Sequence, residues 1–133
     1  MLKLVQNNDP KSRAVLFFQE LHKTQKVYFL RGEGHPIVGD SQFFADEEDV
    51  PSTAIPFWTK SFLPFAQKWS PQAKPEEVSL EELQDTWLPQ IDDNAMVLGL
   101  NWDDEGAGYE CTAAEILMYL EMAENEEEIE LPD

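Results

Sequence analysis

One cysteine among 133 residues, Cys111, excludes an intrachain disulfide and a zinc site built from cysteines alone. No apolar run approaches the roughly 20 residues that a membrane-spanning helix needs. The opening Met1-Leu-Lys-Leu-Val-Gln-Asn-Asn-Asp9 lacks an apolar stretch of signal-peptide length, so the compartment expected is the cytoplasm. No glycine-rich phosphate loop, serine elbow or nucleotide fingerprint occurs. Positive charge is missing from nearly half of the chain. All nine Lys and Arg fall between Lys3 and Lys74, and residues 76–133 contain none. That absence argues against direct nucleic-acid binding, which needs clustered Lys and Arg on phosphates, and against anionic membranes.

What is there is acid. The 27 Asp and Glu give a formal net charge of −18. Residues 1–75 hold eight acids against nine bases, +1, whereas 76–133 hold nineteen acids, −19. Uniform salt adaptation would acidify both halves alike. A segregated charge instead predicts a negative face that meets a basic protein, with encounter weakened by salt. Mimicry of nucleic acid by that face is a further possibility; it requires carboxylates spaced like phosphates on a rigid surface. The carboxylates expected to meet the partner are Asp103, Asp104, Glu105, Glu124, Glu126, Glu127 and Glu128.

A 42% hydrophobic and 11% aromatic content supplies one core. Asn8-Asp9-Pro10 predicts a helix start, and Ala14, Phe17, Phe18 and Leu21 an apolar face behind it. Val27–Leu30 and a run beginning Ile37-Val38 predict a hairpin about the turn Gly32–Pro36. Residues 45–52 predict an acidic loop. Thr53–Trp58 predicts a strand with Pro56 at an edge or near its end. Phe62, Phe65, Ala66 and Trp69 follow helical spacing, with Ser61 as the expected cap. Ser70–Pro75 has the composition of a linker. Ser79–Glu82 and Thr112–Glu115 fit capping boxes. Leu80, Leu83, Trp87, Leu88 and Ile91 form a helical stripe that Pro89 should end or kink. Met96–Leu100 predicts a central strand, Tyr109–Cys111 another, and Ala113, Ile116, Leu117 and Leu120 a last helix. The expected class is α+β: a mainly antiparallel sheet of four to five strands, with about four helices packed on one face. Residues 1–123 are expected to form one domain and 124–133 an acidic, mobile tail; Ile129 and Leu131 give that tail a means of docking.

Several of these words occur together in one known family. They are the strand Val27-Tyr-Phe-Leu30, the strand end Ile55-Pro-Phe-Trp58, the segment Ser79-Leu-Glu-Glu-Leu-Gln-Asp-Thr-Trp-Leu-Pro89, and Met96-Val-Leu-Gly-Leu-Asn-Trp102. Residues 10–122 resemble the bacterial family known as domain of unknown function 2750. The shared residues are packing and punctuation groups, so the resemblance implies no catalytic role, and the acidic tail falls outside the family pattern.

Candidate sites are few. Asn101, Asp103, Glu105 and Gly106 match the start of a calcium loop, but its twelfth position is Thr112 where a bidentate Glu is needed. Asp46–Asp49 are adjacent on an extended chain and point in different directions. His22 and His35 have no evident partners. Cys111 precedes a helix start, where a thiolate is favoured, yet a small buried apolar thiol is the commoner state. No catalytic, metal or cofactor residue is assigned. Trp69 and Trp87 lie on helical stripes and belong to the core. Trp58 and Trp102 both end strands, and as an alternative function they would flank a ligand-binding or enzymatic cleft.

Overall fold

The computed structural model describes residues 9–132. Helix α1 (Pro10–Thr24) starts as the sequence dictates: the Asp9 side chain accepts from the Lys11 N–H, and Pro10 occupies the first turn, where no helical N–H is lost. Ala14, Phe17, Phe18 and Leu21 are buried on its inner face. So is Arg13, a residue that the periodicity does not place there.

Strand β1 (Lys26–Arg31) does not form the predicted hairpin. Only a single bridge, Arg31 to Pro36, joins it to the following segment. It pairs antiparallel with β4 (Lys74–Ser79), from Lys26 opposite Ser79 to Arg31 opposite Lys74. The segment with linker composition therefore enters a strand. The pair is matched in charge: Glu76 bonds to Arg31, and Glu77 lies 3.7 Å from Lys26. Both ion pairs are solvent-accessible, where screening by water leaves each with little net stabilisation. They select the partner strand more than they hold it.

A second sheet has the order β2 (Gly39–Ala45), β3 (Pro51–Phe57), β5 (Val97–Leu100), β6 (Tyr109–Cys111). β2–β3 and β5–β6 are antiparallel; β3–β5 is parallel. The fold is α+β, with two sheets where one was expected and a parallel pair inside the larger. Pro56 falls at the end of β3, opposite Gly99.

Alternation then sorts the two faces. Ile55, Phe57, Leu98, Leu100 and Cys111 join the main core with α1, α3 (80–93) and α4 (Ala113–Glu124). Ala54 and Val97 face the other way and pack with Trp58, Trp102, Leu30 and Ala66. Ala66 belongs to α2 (Leu63–Trp69), so helices cover both faces and not one. β5 is buried along its whole length, which is why it reads as an unbroken apolar run.

The prolines and caps behave locally. Ser61 is not a cap: its N–H and hydroxyl both donate to the Glu20 carboxylate, and a 3₁₀ turn (Lys60–Phe62) leads into α2. α3 begins with the Glu82 N–H on Ser79 Oγ at 3.0 Å. It continues through a π-helical turn, Leu83–Trp87, into Leu88–Asp93. Pro89 offers no N–H to the carbonyl four residues back and crowds it. The wider turn just upstream accommodates that defect, so the helix is re-phased and not ended. At α4 both bonds of the Thr112–Glu115 capping box are present.

Beyond α4 the chain turns back at Glu126, in left-handed conformation, and runs beside α1. Glu126–Glu128 stand near Gln19 and His22, and Glu130 and Leu131 near Val15 and Leu16. The Tyr109 hydroxyl donates to the Pro132 carbonyl at 2.9 Å. Ile129 and Leu131 are buried in the main core, without strand pairing. The tail read from sequence as mobile is thus laid down as a strap. Burial of the two side chains contributes about 1.5–3 kcal/mol each. Ordering the segment's backbone offsets most of that gain. The attachment should therefore be local and easily released. Replacing Ile129 and Leu131 by Asp is expected to make the 126–132 segment the first site of limited proteolysis, with little change in melting temperature. Equal cleavage of wild type and variant would show that the strap is not held.

Candidate functional site

Trp58 and Trp102 do not frame an opening. Trp58 is fully buried and Trp102 is 2% exposed. The Trp58 Nε1–H donates to the Trp102 carbonyl at 2.9 Å, and Trp69 packs between the two indoles, tilted against Trp58 at 5.9 Å and edge-on to Trp102 at 5.8 Å between ring centres. Trp102 lies where Gly39, Gly99 and Gly108 leave room: a Cβ at Gly99 would overlap its Cε2 and Nε1. The glycines let the four-stranded sheet curl around this side chain. The cleft expected between these tryptophans is filled by their own packing.

The curl brings the outer strands of the sheet together. Glu110 of β6 reaches β2, taking the Ser41 hydroxyl on one oxygen and the Gln42 N–H on the other, at 3.0 Å. Its side chain is 5% exposed, and among the described residues no Lys, Arg or His lies within ion-pairing distance. A cavity of about 480 Å³ opens beside it. Phe43, Phe44 and Tyr109 form its apolar walls, and Phe43 is 69% exposed. Glu115 and Asp9 add carboxylates, and Lys11 is the single cation among the described lining residues. In the sequence Glu110 is one acid among many. Its distinction is made by contact with Ser41, 69 positions away.

The other polar focus is structural. Arg13 is buried; its Nε–H donates to the Asn101 carbonyl (2.8 Å), its NH2 group to the Ala107 carbonyl (3.1 Å), and it lies over the Phe65 ring. Asn101, fully buried with φ 48°, donates to the Arg13 carbonyl and accepts the Thr59 N–H at 2.9 Å. This network ties α1, the end of β3 and the end of β5. Burial lowers the Arg13 pKa, and Asp103 and Asp9 oppose that shift.

The acids singled out from sequence separate into two groups. Asp103, Asp104 and Glu105 lie in the loop beside Arg13, and Asp103 Oδ1 accepts the Glu105 and Ala107 N–H groups, which closes the loop on itself. Glu124 and Glu126–Glu128 gather with Glu81 around His22, near the other end of α1. Residues 13 and 22 are roughly 13 Å apart along a helix axis, so the two groups are distinct patches. His22 and His35 are exposed. Cys111 is buried; desolvation, with Glu115 and Glu110 adding to it, pushes its thiol pKa far up, away from a reactive thiolate. Among the described residues no cluster of three His, Cys, Asp or Glu is arranged to hold a metal, and no helix is long and apolar enough to cross a membrane.

The family model "Protein of unknown function (DUF2750)" matches residues 14–120. The chain belongs to this family. The DUF2750 span contains the tryptophan cluster, Asn101, Glu110 and the aromatic walls of its cavity, whereas Glu124 and Glu126–Glu128 lie beyond it. No curated protein and no solved structure matches the chain.

Proposed function

We propose that this DUF2750 member is an interaction module that binds a basic protein surface. The observation that supports the reading is the unbalanced charge of residues 76–132. They contain no Lys or Arg, and every acid among them except Glu76, Asp103, Glu110 and Glu115 is exposed. β4 is a local exception, since Glu76 and Glu77 face Arg31 and Lys26 of β1. The patch of Glu81, Glu124 and Glu126–Glu128 around His22 is where the reading places the first encounter with the partner. Its field acts within a Debye length of about 10 Å at 0.1 M salt, so it would steer encounter more than it would fix the bound pose.

A purified Lys- and Arg-rich peptide serves as the probe. Its affinity is expected to fall at least tenfold between 50 and 500 mM salt. Neutralising Glu124, Glu126, Glu127 and Glu128 to Gln should weaken it at least tenfold at low salt. Neutralising Asp46, Glu47, Glu48 and Asp49, an equal charge in the β2–β3 loop, should change it less than twofold. Equal losses from the two sets would reduce the effect to bulk charge and sink the proposal.

A further inference from the structure

We infer that the cavity beside Glu110 is the anchor of that interaction and takes the guanidinium or ammonium group of one basic side chain from the partner. The inference rests on the proposed function and goes beyond the exposed patch, because the cavity stands at the opposite end of α1 from Glu124 and Glu126–Glu128.

Three independent features converge. The first is the state of Glu110. A carboxylate accepts about four hydrogen bonds. Glu110 has two, is nine-tenths buried, and has no cation partner among the described residues. A carboxylate so placed gains from a donor cation that enters beside it. The second is shape. About 480 Å³ lies within the range of pockets that hold small organic groups. It is enough for an arginine side chain with its flanking backbone. The third is the wall chemistry. Phe43 and Tyr109 present aromatic surface to the cavity, and Phe43 is exposed far beyond the norm for its type. Aromatic faces with carboxylates behind them suit a cation carried on an apolar stem, which lays its methylenes on the rings and its head on the acid. An anion would meet three carboxylates, Glu110, Glu115 and Asp9, against the one lining cation Lys11, and a wholly apolar group would leave Glu110 without a cation.

As a clip between β6 and β2, Glu110 needs only the two bonds it has. The cation site adds a demand on Phe43, which the clip does not use, and the test turns on that difference. Calorimetry on the full chain would compare three probes: a short peptide with one central arginine, the same peptide with citrulline, and butylguanidinium alone. The expected result is that the arginine peptide binds at least tenfold more tightly than the citrulline peptide. Phe43→Ser and Glu110→Gln should each remove at least tenfold of that affinity, with butylguanidinium competing for the same site. Phe43→Ser guards against a folding defect, because its side chain is exposed. If the arginine peptide bound equally well to wild type and Phe43→Ser, with salt dependence intact, the cavity would be overturned and the surface reading would stand. If no probe bound any variant at low salt, both would fall. If butylguanidinium bound and the arginine peptide did not, the site would serve a small free guanidinium compound, and the protein partner would be excluded from it.

Discussion

Gly99→Ala is expected to lower stability by about 3 kcal/mol, the upper end of the usual cost of overpacking, and to cost almost nothing once Trp102 is alanine. The added methyl would overlap Cε2 and Nε1 of Trp102, and that ring has no room to retreat. Its Nε1–H donates to the Tyr109 carbonyl, Trp69 packs edge-on against it, and Gly39 and Gly108 lie along its other sides. Gly99 itself sits mid-strand between β3 and β6, so the backbone cannot shift without breaking two ladders. Trp102→Ala alone should cost about 3–5 kcal/mol through the cavity it leaves. Urea unfolding of the two single variants and the double variant forms a cycle. The double variant should be close to Trp102→Ala, with a coupling of at least about 1 kcal/mol. Additive losses would mean that Gly99 is required for some reason other than the indole.

Asn101→Ala should be nearly as severe, about 3–4 kcal/mol out of a total stability of about 5–15. Two terms contribute. The Thr59 N–H, fully buried, loses its acceptor, which costs about 1–3 kcal/mol. Alanine must also hold a left-handed backbone at φ 48°, at about 1–2 kcal/mol, where asparagine is better tolerated. Asn101→Gly separates them, since it removes the side chain but not the backbone freedom. Thermal unfolding should place the glycine variant about 1 kcal/mol above the alanine variant. If both variants lay within about half a kcal/mol of wild type, the network would be incidental to stability.

Local grammar was well legible in this chain, and pairing was not. Asp9-Pro10, Ser79 and Thr112 announce helix starts because caps act over three residues, and all three act so here. β5 is legible as an apolar run. β4 was hidden because Lys74-Pro-Glu-Glu-Val-Ser79 carries one strong strand former. Its signal lies in the charges of β1, which only pairing reveals. The same holds for Arg13, whose acceptors are backbone carbonyls 88 and 94 positions away. The sequence places Trp58 and Trp102 at strand ends, but their burial depends on what faces them. A glycine inside a strand, Gly99, marks a close approach, and the approaching group is Trp102.

The irregular stretch of β2 has a consequence for the protein in a crowded solution. Between Asp40 and Ala45 its register with β3 slips, and three successive amides there are already engaged, Gln42 with Glu110 and Phe43 and Phe44 with Ser41 Oγ. An exposed border with free amides would recruit strands from other molecules and seed fibrils, the more so beside two phenylalanines. Here a carboxylate and a hydroxyl stand in for the missing neighbour, so Phe43 can face solvent without inviting self-templated growth.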